Sequence, residues 1–455
     1  AGTRLRTDLR DLAASISVVT KDLMEDLGIN SLDQLATYTL GTEIGGIDGN
    51  FSDTSVSQSF TSFDGTMRDP PPDVRVRGIS GGASRTRDYF LIDIGGDAYN
   101  TERIDIQRGP NGMLFGLGSP QGVINEGMIK ANPQRNSTKV STRFGSYDGY
   151  RGSIDHNQVL LKDRLALRLA GVHDDRRYQI EEAFIKSRRG YGTLTYQPWK
   201  NTVLRASGEI ALTEANPAQT RPPSDQFSYW WAVGRPVYNA FTGVASFLGT
   251  PPSTPGITGD PNQFLNAFVL YKQSLVIENP ATGAYGLSIP GNPQAIEFRQ
   301  NRVRRNATNT GWIVADGSRA LANADFYLRT LYAPVGDPAR NFYRQVQLTD
   351  PTIYNYFDHQ LDGPSSSNNV RWRTANIALE QRLGQHAGLE LAYDRQTFDF
   401  AYQATFASDR YALNLDVTSV LTSGVPNPNF GRPFAAHQGF GFSKTTQREA
   451  FRATT

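Results

Sequence analysis

From residue 138 onward the chain alternates, with apolar or small residues on one parity and polar or charged residues on the other. Val140, Thr142 and Phe144 oppose Lys139, Ser141 and Arg143; Tyr150, Gly152, Ile154 and His156 oppose Arg151, Ser153, Asp155 and Asn157. Leu165, Leu167 and Leu169 oppose Arg164 and Arg168, and Gly192, Leu194 and Tyr196 alternate with threonines. Leu204, Ala206, Gly208, Ile210 and Leu212 oppose Arg205, Ser207 and Glu209. Later, Ala375, Ile377, Leu379 and Leu383 oppose Asn376, Glu380 and Arg382, and Leu389, Leu391 and Tyr393 follow. A period of two marks strands whose two faces meet different media. Each run approaches the ~9–11 residues that a tilted strand needs to cross a bilayer.

The links between runs alternate in length. Those at 161–163, 198–201 and 384–388 are short, whereas 174–187, 213–371 and 400–447 are long. Short turns at one end and long loops at the other are the pattern of an outer-membrane barrel. The hairpin at 145–149 departs from it, being short where a long loop is expected. The excursion 213–371 holds Trp230, Trp231 and Trp312 and has weak periodicity; it reads as packed extracellular loop, with an inserted globular domain as the alternative. About eight strands are expected within 137–455, the last of them broken off at Thr455. An open sheet of that size would leave an edge that lipid does not tolerate, so the sequence is expected to be the N-terminal portion of a longer protein.

Composition narrows the remaining classes. Lys+Arg number 46 against Asp+Glu 44, a net charge of +2 that gives no reason to expect a nucleic-acid partner. Cys is 0, which removes disulfides and thiolate chemistry. No run of about eighteen apolar residues exists, which excludes a membrane-spanning helix and says nothing against strands. No signal peptide stands at Ala1, so the sequence is expected to begin after processing.

The first part reads differently. SISVVT at 15–20 is strand-like, Thr20 can cap a helix over 21–27 closed by Gly28, and Ser31-Leu-Asp-Gln34 is a capping box. A loop-rich stretch over 41–73 precedes a strand at 74–78, and another is expected over 89–93. Then comes ERIDIQRGPNGMLFGLGSPQGVIN at 102–125: an alternating strand, a Gly-Pro break, a glycine-rich loop and a second extended segment.

This stretch closely resembles the end of the plug domain of TonB-dependent outer-membrane receptors. The steps that carry the resemblance are Glu102-Arg103-Ile104, Arg108-Gly109-Pro110, Leu114-Phe115-Gly116 and Gly118-Ser119-Pro120-Gln121-Gly122-Val123-Ile124-Asn125. One departure follows, Glu126-Gly127-Met128-Ile129-Lys130 standing where the family usually continues with a Thr-Lys pair. The resemblance implies a mainly β fold: a small α+β plug over 1–136, then strands of a large antiparallel transmembrane β-barrel over 137–455. It implies active transport of a scarce nutrient, a ferric chelate or an oligosaccharide-like ligand, across the bacterial outer membrane. The energy would come from TonB, acting on a segment upstream of Ala1 by strand addition. No cofactor or metal is implied. The alternative within the membrane class is a receptor that senses ligand without moving it.

Site residues follow from the same resemblance. Arg77 and Arg108 stand at the family's V-R-G and R-G-P positions and are expected to pair with wall carboxylates such as Glu209 or Glu380, with Glu102 among the plug–barrel contacts. Arg77, Arg85, Arg87, Asp97, Tyr99 and Asn100 are expected on apical plug loops that meet ligand. Three motifs are set aside. Gly78-Ile79-Ser80-Gly81-Gly82 fits G-x-S-x-G, but no amphipathic helix follows to make Ser80 a hydrolase nucleophile. Gly116, Gly118 and Gly122 have the wrong spacing for a dinucleotide loop. His156, His173, His359, His386 and His437 are too scattered to bind metal together.

Overall fold

A computed structural model of the chain describes residues 15–44, 74–78, 83–92, 94–109, 122–216, 350–360, 363–384, 387–404 and 440–454, with short segments within 218–348 and 412–435. The N-terminal part forms as the local signals require. Strand β1 (Ser15–Thr20) leads into helix α1 (Lys21–Asp26), where the Thr20 hydroxyl accepts from the Leu23 N–H at 3.3 Å. Gly28 then takes a φ of 68°, open to glycine at no steric cost. Helix α2 (Leu32–Tyr38) is capped by Ser31, whose Oγ accepts from the Gln34 N–H at 3.2 Å. The Gln34 side chain reaches one residue further back than a capping box requires, accepting from the Asn30 N–H at 2.8 Å.

Strands β2 (Thr42–Ile44) and β3 (Val74–Val76) pair with each other, and β4 (Ser84–Arg87), β5 (Phe90–Leu91), β6 (Thr101–Arg108) and β7 (Gly122–Met128) build a mixed sheet with β1 in the order β1-β6-β7-β4-β5. Met24, Leu32, Leu35, Val74, Val76, Ile104, Ile106 and Ile124 form the core between these helices and strands. Two expectations change here. The segment after Ala83 is a strand, β4, whose SRTR sequence lacks an apolar stripe and is held by parallel pairing to β7. The strand expected over 89–93 shrinks to Phe90–Leu91, because Asp88 and Tyr89 turn the chain with φ of 45° and 66°. Residues 79–82, with Ser80, lie outside the described residues.

Eight antiparallel strands follow in one sheet: β8 (Ser137–Phe144), β9 (Tyr150–Leu161), β10 (Leu165–Arg177), β11 (Phe184–Trp199), β12 (Thr202–Asn216), β13 (Ser367–Leu383), β14 (Ala387–Ala404) and β15 (Phe440–Thr454). Each pairs with its sequence neighbour, and β12 pairs with β13 across the longest excursion. The alternation decides the faces. Val140, Phe144, Ile154, Leu169, Ile210, Ile377 and Phe451 are exposed on the outer face, whereas Ala211, Val370, Trp372, Phe398 and Phe400 are buried on the inner one. Strands β11 to β15 are 15 to 18 residues long. That exceeds the ~9–11 needed to cross hydrocarbon, and the surplus carries the long links beyond it.

Residues 221–354 and 410–437 form a second compact unit. Within it the two long excursions pair with each other: Ser224–Asp225 lies parallel to Ala412–Leu415, and Pro236–Asn239 lies beside Thr418–Val420. Trp230 and Trp231 lie outside the described residues.

Candidate functional site

The plug domain packs on the inner face of the eight-stranded sheet, which carries Arg151, Arg168, Arg189 and Glu209 beside the apolar Val370, Trp372, Phe398 and Phe400. The deepest contact is at Glu209 on β12, 2% exposed. Arg87, the last residue of β4, donates from Nη1 to Glu209, and the Tyr99 hydroxyl donates to the same carboxylate at 2.7 Å. Glu126 of β7 backs the pair from the plug side, 3.5 Å from Arg87 and 3.6 Å from Arg85. Burial disfavours the Arg87 charge, but Glu209 and Glu126 outweigh it and raise the guanidinium's pKa. Burial, then Glu209, pushes the Tyr99 phenol up as well, so it keeps the proton it donates. The backbone makes room for Glu126 at Gly96: a Cβ there would meet its Oε1 at 2.2 Å.

A second junction joins Asp97 to Arg151 of β9 at 2.6 and 3.1 Å, with Arg151 also 3.1 Å from Asp174. Beside it, Arg189 of β11 donates to the Gly95 carbonyl at 2.9 Å while its guanidinium stacks 4.7 Å from the Trp372 ring. The same arrangement recurs around the plug. Wall residues donate to plug carbonyls from Arg143 to Gly28 (2.9 Å), Arg168 to Lys130 (3.1 Å), Tyr191 to Ile129 (3.2 Å), Gln396 to Leu91 (2.7 Å) and Arg452 to Asp88 (2.7 Å). Arg452 also lies 4.6 Å over the Phe90 ring. Backbone carbonyls offer no sequence of their own, so this fastening rests on wall side chains reaching bent plug segments that leave acceptors unpaired.

Several expected site residues move in role. Arg77 and Arg108 do not meet Glu209 or Glu380. Arg108 donates to the Leu40 carbonyl at 3.1 Å and to Ser17 Oγ at 2.8 Å, and Arg77 is exposed beside Gly109 with a φ of 57°. The reason is placement: Arg108 ends β6 next to the α2–β2 turn, away from the inner face of β12. Glu380 pairs with Arg205 of the adjacent wall strand, and Glu102 is exposed without an ion pair among the described residues. Arg87, Asp97, Tyr99 and Asn100 are not displayed on open loops. They are buried at 8%, 7%, 6% and 0% exposure, and the Arg85 side chain is nearly as enclosed. Of the signature residues, Pro110, Gly116, Gly118, Ser119 and Pro120 lie outside the described residues. Asn125 accepts from Thr86 Oγ1 at 3.0 Å and from the Tyr89 N–H at 2.8 Å, tying the β4–β5 turn to β7. Gly109 and Gly122 both have positive φ, 101° and 120°.

The wall residues Arg143, Arg168, Arg189 and Arg452 were not singled out from sequence. Their signal was present, since a charged residue on the inward parity must find a partner there. Among the described residues no group of three His, Asp or Glu stands close enough to hold a metal ion. His156 bonds Thr138 and His173 bonds Tyr150, both at 2.8 Å, and His359 lies 3.2 Å from Glu182.

Asp97 gives the junction a pH signature. Burial would raise its pKa, but Arg189 and Arg151 prevail and hold it below the ordinary 3.8. A carboxylate with a depressed folded pKa stabilises fully above its unfolded value and loses that contribution as pH falls through the folded one. Asp88 acts with the opposite sign, its pKa raised by burial, so the Asp97 share is the difference between wild type and Asp97→Asn. Urea-driven plug release should differ between the two by about 2 kcal/mol near neutrality. The gap should begin to shrink as pH falls below about 4 and close only once pH has passed the depressed folded pKa; a gap independent of pH would remove the ionised carboxylate from the account.

Comparison with known proteins agrees with this architecture. The TonB-dependent receptor plug domain model matches residues 8–123. The ferric-pyoverdine 358 receptor of Pseudomonas putida is 28% identical over 165 residues, covering 35% of this chain and 18% of that receptor. The ferripyoverdine receptor of Pseudomonas aeruginosa is 26% identical over 212 residues, 46% of this chain and 24% of its own length. The open form of the ferric-catecholate import receptor Fiu from Escherichia coli K12 shares the fold with a TM-score of 0.52 at 12% identity, over 98% of this chain and 46% of that one. The chain thus spans less than half the length of the solved receptor it matches. Residues 8–123 thus match the TonB-dependent receptor plug domain, and the sheet that follows shares the fold of part of such a receptor's barrel.

Proposed function

We propose that this chain belongs to an outer-membrane transporter that takes up a ferric chelate, with residues 1–136 acting as plug and 137–455 as barrel wall and loops. The observation that carries the reading is the plug held on the inner face by polar contacts. Arg87–Glu209 and Asp97–Arg151 are buried ion pairs, and six wall side chains bond plug carbonyls. Such contacts close a pore, yet they can be exchanged for water when the plug is pulled, which an apolar interface could not do cheaply. No covalent chemistry is needed. The pull would come from TonB, adding a strand to a segment N-terminal to the plug. A ferric chelate is favoured over an oligosaccharide because the relatives are receptors for ferric pyoverdines and ferric catecholates.

The test is uptake of radiolabelled iron by cells making the complete receptor as their sole route for a given chelate. Label should reach the periplasm and stop when the proton gradient is collapsed. Binding at the surface with no label inside would instead make the protein a sensor.

A further inference from the structure

Within the plug, beside the Glu209 junction, lies an ion pair that is only half made. Arg85 and Arg87 stand two apart on β4 and so project from the same face, and both approach Glu126 of β7. Neither bonds it closely: Arg87 Nη2 is 3.5 Å from Oε2, and Arg85 Nη2 is 3.6 Å from Oε1. Charge-assisted hydrogen bonds of this kind close to about 2.7–2.9 Å. Glu126 Oε1 and the Nε and Nη1 of Arg85 have no hydrogen-bond partner among the described residues. Yet the Arg85 and Glu126 side chains are 9% and 2% exposed. Buried charged groups are rarely left unbonded, and those that are call for a reason.

Two constraints hold the pair open. Arg87 is drawn away to the wall, where it donates from Nη1 to Glu209. Glu126 Oε1 rests against the backbone at Gly96, in space that a Cβ would take, since one there would stand 2.2 Å from it. That segment is itself fastened to the wall, through the Gly95 carbonyl to Arg189 and through Asp97 to Arg151. Both constraints end when the plug parts from the wall.

We propose that Arg85, Arg87 and Glu126 form a partner-exchange switch. As the plug leaves Glu209, the two arginines close onto Glu126, and the plug departs with its charges paired internally. This rests on the plug-release reading above. Arg85 has no hydrogen bond or ion pair to the wall among the described residues, so it is a positioning residue that acts through Glu126. A brace that merely held Glu126 in its docked pose would loosen the plug when removed. A switch does the reverse: losing Arg85 takes a closed bond from the released state and only an open one from the docked state.

The experiment uses the complete receptor with Ala98→Cys as its only cysteine, and reads plug release as maleimide labelling at rising urea. Arg85→Met keeps the length of the side chain and removes the fork. It should slow labelling by about tenfold, the worth of one charge-assisted hydrogen bond. In a Glu126→Gln background most of that difference should vanish, because no carboxylate is left to close upon. Trypsin resistance of the plug before urea checks folding. If Arg85→Met is cut, Arg85→Lys, which keeps the charge without the fork, should still slow labelling by about threefold. Unchanged or faster labelling in the folded variant would overturn the proposal, as would a slowing that persists in full with Glu126→Gln. Iron import by wild type with unchanged labelling in the variant sinks the switch and spares the uptake reading; slowed labelling without import does the opposite.

Discussion

Arg87→Ala should loosen the plug from the wall more than any other single side-chain deletion in the junction, by about 3–5 kcal/mol. The size follows from what is left behind. Arg87 is the shared cation between Glu209 of the wall and Glu126 of the plug, and their side chains are 0% and 2% exposed. Without it Glu209 keeps only the Tyr99 hydroxyl, and Glu126 keeps Arg85 at 3.6 Å. Two carboxylates would then sit buried with one weak cationic contact between them. Either they take up protons or water enters, and both cost docking energy.

The converse change is milder. Glu209→Gln retains an acceptor for Tyr99 and leaves Arg87 paired to Glu126, so a loss of about 1–2 kcal/mol is expected. Arg87→Ala/Glu209→Leu should in turn be less damaging than Arg87→Ala alone, because the stranded charge is gone. A simple charge swap between positions 87 and 209 should not rescue, since an acid at 87 would face Glu126. These 455 residues hold no cysteine, so within them a single cysteine placed at Ala98 reports plug exposure. Its rate of labelling against urea gives the docking free energy for each variant. A loss below about 1 kcal/mol for Arg87→Ala would mean the junction is solvated and screened, and the buried-pair account would fall.

How far this could be read beforehand depends on the range of the signal. The wall strands were legible because each residue's parity is a local fact: Arg151 against Ile154, or Glu209 against Ile210, declares its face with no knowledge of the partner. The capped helices at Thr20 and Ser31 were legible for the same reason. Strand β4 was not, since SRTR has no periodicity of its own and becomes a strand only when Ile124 and Asn125 lie beside it. The junction failed similarly. Arg77 and Arg108 matched a sequence pattern, but which plug arginine meets Glu209 depends on how the plug seats against the wall. That places Arg87 there and leaves Arg108 on the Leu40 carbonyl. Burial was misjudged too: Asp97 and Asn100 look like loop polars, yet both are buried, Asp97 beneath the wall side chain of Arg151.

Gly122→Ala should prevent the plug from completing its sheet, at a cost of about 4 kcal/mol or more. Two faults coincide at this residue. Its φ is +120°, which an L side chain rarely adopts, and a Cβ there would stand 1.9 Å from the Gln107 carbonyl oxygen. That oxygen is backbone within β6, opposite the start of β7, so no rotamer can relieve the clash. The damage would travel along β7. Asn125, which holds Thr86 and Tyr89, and Glu126, which backs Arg87, are three and four residues downstream on the same strand. Gly96→Ala meets only the movable end of the Glu126 side chain, so it should disturb the junction without unfolding the plug. Gly190→Ala, with open space at its Cβ, should be close to neutral. Among the described residues the wall strands pair only with one another, so the sheet should survive Gly122→Ala. Limited proteolysis should then cut the plug while the wall strands stay protected, and a plug as resistant as wild type would show that β6 and β7 can part at this end without consequence.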